Sequence, residues 1–457
     1  MRRRALAAFL LTGTRVAGAL LLAAAFAPGP AWADELIPPR VAQRARERVE
    51  AGQYPILVIG VVDGDQSELA VFGRGPDGAP AARDSVFEIG SVTKTFTATL
   101  LAEAIVHDGL RLDQPVADLL PGWTIPARGG RRITLSDLAT HRSGLPPMPD
   151  DFAPAAGADP YADYGEDRLK RFMAGHGLKR PPGADYEYSN LGYALLGAAL
   201  AEQAGASYRD LLRQRLFAPL GMDDSDVATG NALPARLAPG RTELGEPAVN
   251  WDFDAFAPAG GIRSTGDDMM RYLRASMAAP PGSPMALAQQ PIAAMDEANQ
   301  VGLAWRVTGR RGIVWHSGMT GGYAAFIGFT ADRRQGVVIL TNAAATVEDL
   351  GFAALAPDAP LLPAFVAVTL PPEALDEVTG VFRLADGSEM AVFRHGEALY
   401  VQRPGQAPIR LTPSGRDSFF ARIAPIALTF ARDAAGQVDG AILHQNGDMA
   451  AARITPR

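Results

Sequence analysis

The order of apolar and polar positions divides this chain into three stretches. Residues 41–52 mix charged and apolar positions at helical spacing and predict an amphipathic helix. Two apolar runs follow, Tyr54 to Val62 and Glu68 to Phe72, and the Asp63-Gly-Asp-Gln between them is a hairpin signal. A buried helix is expected from Ser91, because Val92, Phe96, Leu100, Ala104 and Ile105 line one side at helical spacing. From 115 to 290 the pattern is helical and loop-rich, with many Pro and Gly. Strand signals return from Val301 to Val307, Gly312 to His316, Ala324 to Thr330 and Gly336 to Thr341. Strands, then helices, then strands imply an α/β (α+β) domain. One antiparallel sheet would be built from both ends of the domain, with a helical region inserted between.

Residues 351–372 read as a Pro/Ala-rich linker. Beyond it come short alternating runs separated by Gly and Asp turns: 380–384, 390–393, 398–402, 409–412, 426–430 and 441–445. They predict a small all-β domain at 373–457, a barrel or a sandwich. The preceding part, 34–350, reads as one α/β (α+β) domain. His395 and His444 read as ordinary strand residues.

At 457 residues the chain is too long for one ordinary core, which agrees with this division. The first 33 residues look like a secretory signal peptide. Arg2, Arg3 and Arg4 form a charged end, Val16 to Ala27 a short apolar core, and Ala31-Trp32-Ala33 a small-x-small cleavage site. Arg15 interrupts the apolar stretch, so neither part reaches the ~20 residues that span a bilayer. No later run is long and apolar enough, so no membrane span is expected after cleavage, and the location is periplasmic or secreted. The formal charge is −7, and no basic block lies beyond the N-terminus, which argues against nucleic acid as a partner. Cysteine is absent, which removes disulfides, thiolate metal sites and lipid attachment. No HExxH pair or acidic cluster points to a metal, His107, His141 and His176 lack ligand spacing, and no cofactor is implied.

The basic residues carry the first chemical signal. Of 43 Lys+Arg, three are lysines: Lys94, Lys170 and Lys179. Arginine cannot lose its proton in a protein, whereas buried lysine can. Lys94 lies three residues after Ser91, on the same face of the predicted helix. An amine beside a hydroxyl is the minimal apparatus for making serine a nucleophile. Acyl transfer also needs a proton shuttle and oxyanion donors. Tyr188 and Asn190 could supply a phenol and a carboxamide from a loop. His316 ends a predicted strand, and Gly318 would allow close backbone approach by a substrate.

In this order the segments resemble the penicillin-recognising serine hydrolases, nearest to class C β-lactamases with their related D-Ala carboxypeptidases and esterases. Phe87-Glu-Ile-Gly-Ser-Val-Thr-Lys94 is close to the class C active-site signature. Tyr188-Ser-Asn190 matches Tyr-x-Asn, and His316-Ser-Gly318 matches the His-x-Gly form of the third motif. Leu138-Ala-Thr-His-Arg-Ser-Gly-Leu145, Pro219-Leu-Gly-Met222 and Ala259-Gly-Gly-Ile-Arg-Ser-Thr265 agree. The resemblance covers about residues 40–345, and the tail resembles the β-barrel appendage of some members. It implies that Ser91 is acylated, that Lys94 takes its proton, and that Tyr188 assists and protonates the leaving group. It further implies that Asn190 positions the substrate amide, that His316 flanks the cleft opposite Tyr188, and that the Ser91 and Met319 amides form the oxyanion hole. Two positions depart from the pattern. Thr93 stands where the class C signature has a smaller residue, and His316 where true β-lactamases usually carry Lys.

The expected activity is a serine hydrolase forming an acyl-enzyme on Ser91. Its partner would be a small-molecule or peptide substrate: a D-amino-acid peptide of the cell wall, a β-lactam or a small ester. The alternative is a catalytically silent binding or sensing protein that retains the cleft.

Overall fold

The computed structural model describes residues 36–454 apart from 155–158, 228–232, 310 and 446, so the expected signal segment lies outside the described residues. Strands β1 (Ile56–Asp63) and β2 (Gln66–Gly73) form the expected hairpin. They join β3 (Ala293–Ala294), β4 (Asn299–Val301), β5 (Arg306–Thr308), β6 (Val314–Met319), β7 (Ala324–Phe329) and β8 (Gln335–Thr341). The sheet runs β2-β1-β8-β7-β6-β5-β4-β3, antiparallel throughout. β1 pairs with β8 from Leu57 opposite Thr341 to Asp63 opposite Gln335. The sheet is thus assembled from both ends of the domain.

β1 is apolar along nearly its whole length because both of its faces are covered. Leu57, Ile59 and Val61, with Val337 and Ile339 of β8, meet helix α1 (Pro39–Glu50) and a late helix described below. Val58 and Val62, with Val338 and Leu340, face the larger core of the inserted helical region. That region includes α2 (Thr93–His107), α3 (Asn190–Ala204) and α4 (Gly266–Met277), with α4 lying against β1 and β8. The late helix, α5 (Glu348–Leu355), runs past residue 351 into the stretch read as linker. Arg48 of α1 and Asp349 of α5 form a buried ion pair, with the Arg48 Nη1–Asp349 Oδ1 contact at 3.0 Å. Residues 356–371 contain no helix or strand but are held along α1. Arg40 donates to the carbonyls of Ala353, Ala356 and Ala359, and Arg44 and Arg48 to that of Leu362.

One reading of pattern needs correction. The apolar run from Val301 to Val307 is two short strands joined by a buried turn. Ala304 has a φ of 63° and its amide donates to Ala139, while Trp305 is sealed in the core. The run is apolar because it dives inward, not because it extends. Helix α2 has no exposed polar face along most of its length. Thr93, Thr95, Thr97 and Thr99 are all buried, and each hydroxyl has a hydrogen-bond partner, as with Thr97 to Pro258 O at 2.7 Å. The all-β tail is a closed eight-stranded barrel, and two of its strands, Ser418–Phe420 and Asp448–Arg453, carry little sequence signal. The first is short, and the second is alanine-rich with Ala451 as its buried position.

The remaining barrel strands are Gly380–Leu384, Glu389–His395, Ala398–Gln402, Ile409–Pro413, Ala427–Arg432 and Val438–His444. Phe382, Met390, Leu399, Leu411, Phe419 and Leu428 fill the interior. One barrel loop touches the rest of the molecule beside the sheet: the Thr346 amide donates to Arg422 O at 2.6 Å.

Candidate active site

A short strand, Val86–Glu88, pairs with Arg263–Thr265 and delivers the chain into a single 3₁₀ turn, Gly90–Val92, before α2 begins. Gly90 has a φ of 50°, a left-handed conformation that glycine adopts without penalty. A side chain there would also meet the Met319 amide nitrogen at 2.7 Å. Gly318 is crowded from the other side: a Cβ on it would lie 2.0 Å from Ile89 O and 2.7 Å from Ser91 N. Two glycines thus let the turn carrying Ser91 press directly on the end of β6. Ser91, Gly318 and Met319 line one cleft of about 270 Å³ as a result.

Lys94, one turn into α2, is fully buried. Its Nζ lies 2.6 Å from Ala259 O, 2.7 Å from Asn190 Oδ1 and 3.0 Å from Ser91 Oγ. Burial, and then the charge of Arg306, hold its pKa well below the usual lysine value. A neutral amine has two N–H bonds and one lone pair. The carbonyl and the carboxamide oxygen can only accept, so they take the two N–H bonds. The lone pair is then left for the Ser91 hydroxyl. The two obligate acceptors on this nitrogen therefore define the direction of proton transfer once the amine is neutral.

The second motif sits at the start of α3. Ser189 caps the helix, accepting from the Gly192 amide at 2.9 Å, and its own amide donates to His141 Nδ1 at 3.1 Å. This fixes Tyr188 on the cleft wall and Asn190 at the first turn. Burial raises the Tyr188 pKa, while Arg306 and a hydrogen bond with Ser91 pull it back, so the phenol stays protonated at neutral pH. Asn190 is partly exposed. Its Oδ1 holds Lys94, and its Nδ2 lies 3.6 Å from Met148 Sδ.

His316 is buried, on the face of β6 that alternates with Trp315 and Ser317. Its Nδ1 lies 2.6 Å from Ser317 O. Burial, then Arg306 and Lys94, push its pKa well down, so it is neutral. It lies behind the cleft surface rather than on it. Ser317, on the other face, donates to Glu348 Oε1 at 2.6 Å.

Thr93, the departure from the familiar signature, has a local reason. Its hydroxyl accepts from the Ile262 amide at 3.1 Å, inside the core. With Lys94 to Ala259 and Thr97 to Pro258, it clamps α2 to the 257–262 segment.

Three contributors escaped sequence reasoning. Arg306 lines the cleft and lies 5.5 Å from the Tyr188 ring centroid and 5.1 Å from that of Trp315. His141, dismissed for lack of ligand spacing, packs on Tyr188 at 4.3 Å between ring centroids. The Leu138–Leu145 landmark was the signal available for it. Ile423, from the barrel, reaches the cleft and is 38% exposed. Among the described residues no group of His, Asp and Glu is arranged to hold a metal.

A serine, a buried amine of lowered pKa and a protonated phenol come together here. Residues 41–357 match the Beta-lactamase family. The chain belongs to the β-lactamase family. It is a serine hydrolase of that family. It is 39% identical over 225 residues to penicillin-binding protein 4 of Amycolatopsis lactamdurans, covering 47% of this chain and 56% of that protein. It is 28% identical over 308 residues to the D-alanyl-D-alanine-carboxypeptidase/endopeptidase AmpH of Escherichia coli, covering 63% of this chain and 79% of that one. The chain thus spans little more than half the length of the first relative and most of the second. The octameric penicillin-binding protein homologue from Pyrococcus abyssi superposes with a TM-score of 0.62 at 20% identity. That superposition covers 90% of this chain and 99% of the other, so the fold likeness extends into the barrel. Within the β-lactamase family, this chain carries the His-x-Gly form of the third motif.

Proposed function

We propose that this β-lactamase-family chain forms an acyl-enzyme on Ser91 and cleaves an amide or ester. Lys94 is the base that takes the Ser91 proton. The Ser91 oxygen attacks the substrate carbonyl, the resulting oxyanion is held by the amides of Ser91 and Met319, and Tyr188 gives its proton to the leaving group. Water then releases the acyl group. Asn190 acts by holding Lys94 in place, and His316 is a neutral buried neighbour of that amine.

The observation that carries this reading is the set of contacts around Lys94 Nζ. Two short contacts to obligate acceptors leave the lone pair for the serine 3.0 Å away. The substrates are D-amino-acid peptides of the cell wall, β-lactams or small esters, in keeping with relatives named penicillin-binding protein, carboxypeptidase and β-lactamase. A neutral His316 in place of a lysine favours peptides and esters over penicillins as the main substrate. The signal-like residues 1–33 assign the working site to the periplasm or exterior, and no described helix is long and apolar enough to cross a membrane.

The test is covalent labelling. Intact protein should gain the mass of the acyl group from a fluorescent penicillin or a p-nitrophenyl ester, and Ser91→Ala should not. A protein that accumulates no Ser91-dependent adduct and shows no Ser91-dependent turnover with any acyl donor would instead be the silent binding protein.

A further inference from the structure

The short helix Leu135–Ala139 stops in a way that sequence economy does not explain. The His141 amide donates to Leu138 O at 3.2 Å and the Arg142 amide to Asp137 O at 2.7 Å. This pair of bonds closes a helix through one left-handed residue, and glycine is usual there. Here the residue is His141, with a φ of 59°. A histidine enters that conformation at a cost glycine does not incur. The turn alone gives no reason for an imidazole.

The side chain's surroundings give one. His141 is buried and holds the segment around Tyr188 from three directions. Its carbonyl accepts from the Glu187 amide at 2.7 Å, and its Nδ1 accepts from the Ser189 amide at 3.1 Å. Those are the residues on either side of Tyr188. The imidazole itself lies on the Tyr188 ring, with 4.3 Å between centroids and 31° between planes. The rings of Tyr193 and Tyr186, at 5.0 and 5.7 Å, enclose it further. Because Nδ1 accepts, the proton of the neutral ring sits on Nε2. Burial, and then the charge of Lys94, keep the ring neutral, so Nδ1 stays an acceptor.

We infer that His141 is the positioning residue of the Tyr188 phenol. Through its carbonyl and Nδ1 it fixes the two peptide groups that flank Tyr188, and with its ring it sets the plane of the phenol. The inference rests on the acyl-transfer reading above, in which Tyr188 protonates the leaving group. His141 then affects only the part of the reaction that needs that proton.

The experiment reads leaving-group dependence. kcat/KM is measured for aryl acetates from p-nitrophenyl to p-methoxyphenyl. p-Nitrophenoxide departs readily without a proton, and p-methoxyphenoxide departs less readily. His141→Gln should lower kcat/KM about tenfold more for the p-methoxyphenyl ester than for the p-nitrophenyl ester, a share of the roughly 10²–10⁴ that a placed acid supplies. Tyr188→Phe should show the same trend. Adding His141→Gln to Tyr188→Phe should cost about twofold or less, because positioning acts only through the phenol. His141→Asn places an amide oxygen near the site of Nδ1 and tolerates the left-handed backbone, so it should come within about threefold of the parent. A loss equal for all esters would overturn the inference. So would losses that multiply in the double variant, or an asparagine variant no better than glutamine. If His141→Gln does not fold, His141→Asn decides: it lacks the ring, so its smaller loss must still grow toward p-methoxyphenyl and vanish beside Tyr188→Phe. No Ser91-dependent adduct in the parent would sink the acylation reading and this inference with it. An adduct with a flat leaving-group profile across the variants would sink this inference alone.

Discussion

Lys94 Nζ donates to the carbonyl of Ala259 at 2.6 Å, tying the helix that follows Ser91 to a segment far along the chain. With Asn190 Oδ1 at 2.7 Å as its second acceptor, the amine is held where its third contact is the serine.

Lys94→Arg keeps a positive charge and removes the possibility of a neutral base. Acylation rates should fall by about 10²–10⁴, the usual contribution of a positioned general base. Stopped-flow burst kinetics with a p-nitrophenyl ester would measure this. A near-native burst in the variant would take Lys94 out of the mechanism.

The pH dependence follows from the same amine. Below its depressed pKa Lys94 is protonated and cannot accept from Ser91, so kcat/KM should rise with pH along a limb set well below ordinary lysine titration. At high pH the rate should fall as Tyr188 loses its proton, above the usual tyrosine value. Arg306→Gln removes a charge that disfavours the ammonium form, so the lower limb should move to higher pH. An unmoved limb would mean that the titrating group is not Lys94.

Gly318→Ala introduces a methyl 2.0 Å from Ile89 O and 2.7 Å from Ser91 N. The backbone around Ser91 and Met319 must shift to admit it. Turnover should drop by about 10²–10³, comparable to losing an oxyanion donor. Gly387→Ala, at an exposed barrel turn with a φ of 84° and open space around it, should lower stability without touching turnover. Comparing kcat and melting temperature for the pair separates the two effects.

Asp349→Ala would leave Arg48 charged and buried between α1 and α5, and would free the Leu362 amide that donates to Asp349 at 3.0 Å. Breaking one side of a buried pair costs about 3–5 kcal/mol. Urea unfolding should show that loss. A change under about 1 kcal/mol would mean that water reaches the site.

Ile423 brings an apolar barrel residue to the cleft mouth. Ile423→Ala should lower kcat/KM for esters with long acyl chains by up to about tenfold while acetate esters are little changed. An equal effect on both would assign Ile423 to packing rather than selection.

Much of this architecture was legible in the chain because it rests on local regularities. The hairpin at Asp63 and the returning strands at 324–341 were read from apolar runs whose periodicity the fold keeps. Ser91 and Lys94 were legible because helical spacing alone puts them together. Contributors that meet only through the tertiary fold were not. Arg306 follows a buried turn that reads as part of one continuous strand. His141 stands out only once Tyr188 lies on it, and Ile423 belongs to a loop whose neighbours in sequence are all barrel. His316 reads as a cleft residue at the end of a strand, but the side of the pleat it takes depends on which helices cover the sheet.

Leu57 of β1 lies opposite Thr341 of β8. The first strand must wait for almost the whole hydrolytic portion to be synthesised before its second neighbour exists. Contacts this distant in sequence slow folding. Until β8 emerges, one edge of an apolar hairpin stays open, an adhesive surface that a nascent chain would need a chaperone to shield.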